Sequence, residues 1–147
     1  YVLYQSNHER VSLQKELDFI SNYVELQKIR YHNRYDISLE VTGNPDEMMI
    51  APLLFIDFTE NAFKHGIDKR FSDGFVHIKF DITPKAIRFT STNSIGNNEQ
   101  QGIHQQDAGI GLSNVQKRLS ILYPQQHELN ITNDGELFSV DLHIQLS

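Results

Sequence analysis

Glu60, Asn61, Lys64 and His65 crowd the last turns of an otherwise apolar stretch that runs from Pro52 to Gly66. At 3.6 residues per turn Asn61 lies beside both Lys64 and His65, so an amide, a cation and an imidazole share one end. A mostly buried helix carrying such a group invites a site hypothesis. Against it stands a core helix whose exposed end is merely polar. A second candidate is Gly109-Ile110-Gly111-Leu112, which ends a long polar stretch and opens a helical pattern. Free N–H groups and the helix dipole favour an anion there, and glycine lets a phosphate approach the backbone. Alone, such a short glycine match is equally an ordinary helix start. Asn114 and Arg118 follow one turn apart, as site residues or as solvent-facing and packing ones.

The elements that must position these residues follow from periodicity and punctuation. Pro52 suits a first helical position and Gly66 a left-handed cap, so the central helix is expected over Pro52 to Gly66. Before it, Tyr1 to Arg10 is a polar lead-in. Ser12 caps a helix whose Leu13, Leu17, Ile20 and Val24 face inward, through to Tyr31. Tyr35 to Val41 alternates as a strand, and Gly43-Asn44-Pro45-Asp46 turns the chain. After Gly66, strands Phe75 to Ile82 and Lys85 to Thr92 form a hairpin around Thr83-Pro84. Asn93 to Ala108 is rich in Asn and Gln, and a loop that long is usually functional or disordered. The helix after it turns Leu112, Val115, Leu119 and Leu122 inward and stops at Pro124. Strands Glu128 to Thr132 and Leu137 to Leu146 are joined by Asn133-Asp134-Gly135, a hairpin turn. Hairpin pairs with interspersed helices imply an α+β sandwich, a mixed sheet covered on one face by helices.

Totals exclude several classes. The 147 residues suit one domain with a real core. A net charge of −6 argues against a duplex-binding surface. The absence of cysteine removes disulfides and thiolate metal sites. The longest apolar run, Met48 to Ile56, is too short for a membrane span and is broken by Pro52. No signal peptide is evident, and Tyr1 is not an initiator, so the expectation is a piece of something longer. The P-loop, protein-kinase, zinc-protease and hydrolase-elbow motifs do not occur. The histidines are scattered, so zinc is not expected. Asn130-Ile131-Thr132 fits a glycosylation acceptor by chance.

Read together, Glu60-Asn61-x-x-Lys64-His65-Gly66, Asn93, the long loop and Gly109-x-Gly111-Leu112 resemble the GHKL (Bergerat) ATP-binding superfamily. Within it the likeness is to LytS-type sensor histidine kinases, over nearly the whole chain. Glu16-Leu17 and Tyr23-x-x-Leu26-Gln27-x-x-Arg30-Tyr31 resemble the helix before that family's catalytic core. Ala51-Pro52-Leu53-Leu54 through Gly66 resembles its Asn box. Gly109-Ile110-Gly111-Leu112-Ser113-Asn114-Val115-x-x-Arg118-Leu119-x-x-Leu122-Tyr123 is similar to its final glycine box and helix. The two runs together are highly specific.

The resemblance implies a two-layer sandwich that binds ATP and Mg²⁺ and transfers the γ-phosphoryl group to a histidine outside this chain. Residues 1–31 would be the linker and helix from a dimerisation and phosphoacceptor segment, and 32–147 the catalytic domain. Asn61 would hold Mg²⁺, and Glu60 would orient or deprotonate the attacking group or a metal-bound water. Lys64 and His65 would contact phosphates. Gly109 and Gly111, with Leu112 completing the box, would let a lid close over ATP, and Asn114 and Arg118 would face the nucleotide. Where the family carries an aspartate that accepts from the adenine amino group, this chain has Asn93, followed by Ser94. Asn93 keeps a carbonyl acceptor, adds a donor and loses the charge. Asp57, within the apolar part of the central helix, is expected at the pocket side or a subunit contact, since a lone buried carboxylate is costly.

The implied partners are the upstream segment of a homodimer and a response regulator, by resemblance one with a LytTR-type DNA-binding domain. The protein would be anchored in the cell membrane with this part in the cytoplasm. His8-Glu9 echoes a phosphoacceptor pair, but His8 precedes the Ser12 cap instead of lying within a helix. Two other readings stand beside this one: a non-catalytic module that senses nucleotide or supports dimerisation, its pocket degenerate at Asn93, and a GHKL serine kinase.

Overall fold

The computed structural model describes residues 9–67, 73–95 and 105–146, the side chains of 105–111 excepted. In chain order the elements are β1 (Val11–Ser12), α1 (Leu13–Arg30), β2 (Asp36–Thr42), β3 (Met49–Ile50), α2 (Ile56–Gly66), β4 (Phe75–Thr83), β5 (Ala86–Ser94), α3 (Gln105–Leu122), β6 (His127–Asn133) and β7 (Leu137–Gln145).

Period-2 alternation gives the main sheet one apolar and one polar face. Val76, Ile78, Phe80 and Ile82 of β4 are buried, as are Ile87, Phe89, Ser91 and Asn93 of β5. The strands lie in the order β2-β4-β5-β7-β6. β2 and β4 are parallel and the other pairs antiparallel, so the sheet is mixed. Parallel neighbours need a crossover, and α2 lies within it. The outward face is polar, with Arg88 of β5 paired to Asp141 of β7 at 2.7 Å and His77 to Asp36 at 2.8 Å.

Helices and sheet meet in one core that takes Leu13, Leu17, Ile20 and Val24 from α1, and Val115 and Leu119 from α3. Its centre is aromatic. Phe55, just before α2, packs edge-on to Phe80 at 5.1 Å and beside Phe89 at 5.3 Å, while Phe58 lies 5.9 Å from Phe89. Tyr23 of α1 meets Phe63 of α2 edge-on at 5.6 Å. The expected sandwich is therefore observed. So is the Ser12 cap, whose Oγ accepts the Lys15 N–H at 3.1 Å. The turn after β6 is held by Asp134, whose carboxylate accepts from the N–H groups of Glu136 and Leu137 at 2.9 and 2.7 Å.

Four expectations are corrected. α2 starts at Ile56, because Leu53 sits at φ 59 and breaks the helical path, and Pro52 lies in a turn instead of a first helical position. Gly66 is the last helical residue, with Ile67 following as the cap. Asn93 and Ser94 end β5 instead of opening the loop, and α3 starts at Gln105. The loop therefore shrinks to its central part, and residues 96–104, like His8, lie outside those described. A short β1–β3 pairing, Val11 opposite Ile50 and Ser12 opposite Met49, has no counterpart in the periodicity, being too short to carry one. Among the described residues no helix is long and apolar enough to cross a membrane.

Candidate functional site

α2 buries Ile56, Phe58, Thr59, Ala62, Phe63 and His65 and turns Asp57, Glu60, Asn61 and Lys64 away from the core. These four recur at helical spacing, so they form one polar stripe. Glu60 and Lys64 are exposed and Asn61 and Asp57 half-buried. His65 departs from its sequence neighbours and lies on the inward side, 5% exposed.

The C-terminal end of α2 closes onto the end of β5. A Cβ at Gly66 would come within 2.9 Å of Asn93 Cβ and 3.1 Å of the Ser94 carbonyl oxygen, so only glycine permits the approach. Ser94 Oγ donates to the Gly66 carbonyl at 2.8 Å and accepts the Phe75 N–H at 3.0 Å, tying α2, β5 and β4 together. Asn93 is wholly buried. Its Nδ2 donates to the Ser94 carbonyl at 2.6 Å, and its Oδ1 has no hydrogen-bond partner. The structure thus brings Asn93 to the helix that carries Asn61 and Lys64. A buried acceptor left unmet calls for an explanation, and a donor from a ligand supplies one.

The other end of α2 is held by ion-bearing side chains. Arg118 of α3 donates to the carbonyls of Pro52 and Leu53 at 2.7 and 3.0 Å. Glu16 of α1, 5% exposed, accepts the Leu53 N–H at 2.7 Å. The Ala51 N–H donates to Tyr123 Oη at 2.9 Å. Arg118 is therefore engaged at the N-terminal end of α2, away from Lys64 and Gly66. Burial raises the Asp57 carboxyl above its ordinary range, and the nearby Arg118 cation partly offsets this. Asp57 thus lies on the α3 side, with a cation to temper its burial.

Of the α3 candidates, Leu112 is a core residue and Asn114 is exposed. Gly109 and Gly111 lie inside the helix. In a helix that starts at Gln105 the N–H groups from residue 108 onward have intrahelical acceptors, so the glycine N–H groups are not the free ones. Two important side chains were not singled out by the spacing of site residues. Ser94 continues the β5 alternation, and Glu16 falls on the apolar face of α1 beside Leu13, Leu17 and Ile20; a polar residue at inward parity is the signal for both.

With the geometry in view, the architecture has clear counterparts. The catalytic domain of histidine kinase ThkA superposes with a TM-score of 0.61 at 16% identity, over 94% of this chain and 95% of that one. The chain has the fold of a histidine kinase catalytic domain. Full-length ShkA in complex with AMPPNP shares this histidine kinase fold, with a TM-score of 0.63 at 17% identity over 95% of this chain and 32% of ShkA. ThkA in complex with response regulator TrrA does so with a TM-score of 0.58 at 17% identity, over 95% of this chain and 42% of that one. In sequence, the family described as Histidine kinase matches residues 1–35. YwpD of Bacillus subtilis is 26% identical over 96% of this chain and 53% of its own length. Sensor protein LytS of Staphylococcus epidermidis is 27% identical over 86% of this chain and 23% of its own length. The likeness to LytS-type sensor kinases expected from the motifs is thus borne out. The chain spans about half, or less, of the curated relatives it matches.

The residues present fit a nucleotide with its metal. Asn61 offers a half-buried amide oxygen, Lys64 an exposed cation, and Asn93 a buried acceptor waiting for a donor.

Proposed function

We propose that this chain is the ATP-binding catalytic domain of a LytS-type sensor histidine kinase. It transfers the γ-phosphoryl group of ATP to a histidine outside this chain, for relay to a response regulator. The observation that carries this reading is the close approach of the C-terminal end of α2, the helix that bears the polar stripe, to Asn93 with its unsatisfied buried acceptor, within a histidine kinase fold.

Each residue has a role that its chemistry supports. Asn61 holds Mg²⁺ through its amide oxygen; the chemistry such an ion supplies is neutralisation of phosphate charge. Lys64 contacts phosphate as a point charge, and its exposure leaves it free to do so. Glu60 orients or deprotonates the attacking imidazole. His65, buried, shapes the wall behind Asn61. Asn93 accepts from the adenine amino group. Gly109 and Gly111 loosen the first turns of α3, since glycine there weakens a helix, and with Leu112 and Asn114 they border the nucleotide. Arg118 acts through the turn that precedes α2. In the intact protein α1 leads from an upstream dimerisation segment, with a membrane anchor beyond it and this domain in the cytoplasm; the receiving regulator is of the LytTR type.

Titration with ATP and Mg²⁺ tests the reading. The wild-type chain is expected to bind, and Asn61→Ala to lose metal-dependent binding by about tenfold or more while keeping its fold. A wild type with no affinity at millimolar ATP sinks the proposal. Transfer of labelled phosphate to a histidine in the longer protein then separates a histidine kinase from a nucleotide sensor or a serine kinase.

A further inference from the structure

α1 carries two apolar faces. Leu13, Leu17, Ile20 and Val24 are buried in the common core. On the opposite side Phe19, Leu26 and Ile29 stand 45%, 63% and 67% exposed, with Asn22 exposed among them. A helix that packs one face on a core ordinarily turns a polar face to water. The steps from Phe19 to Asn22, Leu26 and Ile29 are three, four and three residues. These four side chains therefore fall in one seam, with the 3.5-residue period of paired helices. N-terminal to them the seam opens on exposed Lys15, whose long chain can lean aside to water.

We propose that this seam pairs α1 with α1 of a second copy of the chain, the two helices parallel and in register. The contact belongs to the catalytic domain itself, is separate from the upstream dimerisation segment named above, and does not depend on the nucleotide reading. Two features select a second copy over some other helix. In register, Asn22 meets Asn22 of the second copy, and one amide satisfies another because each is both donor and acceptor. An apolar partner would leave both ends of that amide without a bond. The flanks are complementary as well. Glu25 and Arg30, both exposed, lie on opposite sides of the seam and five residues apart, the offset at which flanking residues of parallel helices meet. Each Glu25 then faces the second copy's Arg30, twice by symmetry. Antiparallel pairing would instead set Asp18 and Glu25 of one helix against the same acids of the other. Glu25 gives one oxygen to Lys28 of its own helix at 3.3 Å and keeps the second for the partner. The Arg30 guanidinium carbon is steadied 5.1 Å from the centre of the Tyr31 ring. Each core lies behind its own helix, away from the seam, so neither copy has to unpack. Four layers of side chains bury less than a standard interface, and the association of this chain is expected to be weak.

The chain has no cysteine, so a single introduced thiol reports on the pairing. Ile29→Cys brings two thiols face to face in the parallel register and not in an antiparallel one. Glu136→Cys, on the exposed turn after β6, reports random collision. At about 0.1 mM full chain in a glutathione redox buffer, Ile29→Cys is expected to form the disulfide-linked dimer about tenfold or more in excess of Glu136→Cys. Leu26→Glu added to Ile29→Cys is expected to remove that excess. Glu25→Arg added to Ile29→Cys is expected to lower it severalfold, and Arg30→Glu added to that pair to restore it. The substituted side chains are all exposed, and circular dichroism checks that each variant keeps its fold. If a glutamate or arginine variant unfolds, the comparison of Ile29→Cys with Glu136→Cys decides. An Ile29→Cys chain that crosslinks no better than Glu136→Cys overturns the inference and leaves the seam to another helix of the longer protein. An excess that survives Leu26→Glu or Glu25→Arg unchanged overturns it too.

Discussion

Gly66 is where α2 and β5 touch without a side chain between them, and the contact sets the position of Asn93. A methyl group there would come within 2.9 Å of Asn93 Cβ and 3.2 Å of its Nδ2. Gly66→Ala is therefore expected to lower stability by about 1–3 kcal/mol, an overpacking effect measurable by denaturant unfolding, and to weaken ATP binding at the same time. An alanine variant that unfolds and binds like wild type would show that the junction is slack. Part of this was legible in the residues. Ile87, Phe89 and Ser91 keep one parity, but Asn93 joins them on the buried face only because β5 runs past Thr92 to Ser94. Its hydrogen bonds were not legible, because which amide end is satisfied depends on a carbonyl held by α2 and β4.

At the scale of elements, the turn before α2 carries strain that two helices hold in place. Leu53 adopts φ 59, a left-handed conformation that disfavours a bulky residue, and its side chain is 50% exposed. Its N–H meets Glu16 and its carbonyl meets Arg118, so α1 and α3 both grip the same residue. Leu53→Gly is expected to be neutral or stabilising by up to about 1 kcal/mol, since glycine relieves the backbone but gains entropy when unfolded. Leu53→Ala keeps the strain and is expected to gain nothing; paired thermal melts distinguish the two. Local rules favoured a helix from Pro52, and they were outweighed by these long-range hydrogen bonds. The same limit applies to Arg118, whose spacing from Asn114 on a helix says nothing about which carbonyls its guanidinium will meet.

For the molecule as a whole, the helix-free face of the sheet is tuned by charge pairs instead of packing. The Asp141 carboxyl is held below its ordinary range, chiefly by the side-chain hydrogen bonds from Arg88 across β5 and β7. A carboxylate lowered on folding contributes stability that is fully present above the ordinary value of 3.8 and is lost as pH falls through the lower folded value. Asp141→Asn should therefore flatten the acid limb of a plot of melting temperature against pH. The pair is largely exposed, so the effect at neutral pH is expected to be small and reduced by salt. An unchanged acid limb would assign the acid sensitivity to other carboxylates.

The sequence by itself determined the alternating strands, the inward stripes of the helices, the two hairpins and the polar end of α2. Each of these is written in near neighbours, through periods of 2 and 3.6 residues and the turn residues between them. Its motifs also carried the likeness to sensor histidine kinases, because residue type and spacing survive as a pattern along the chain. Tertiary structure alone decided where α2 begins, that Arg118 grips the turn before it, that His65 turns inward, and that Asn93 presents an oxygen. Those outcomes depend on hydrogen bonds and burial between residues far apart in the chain, which no local period can encode.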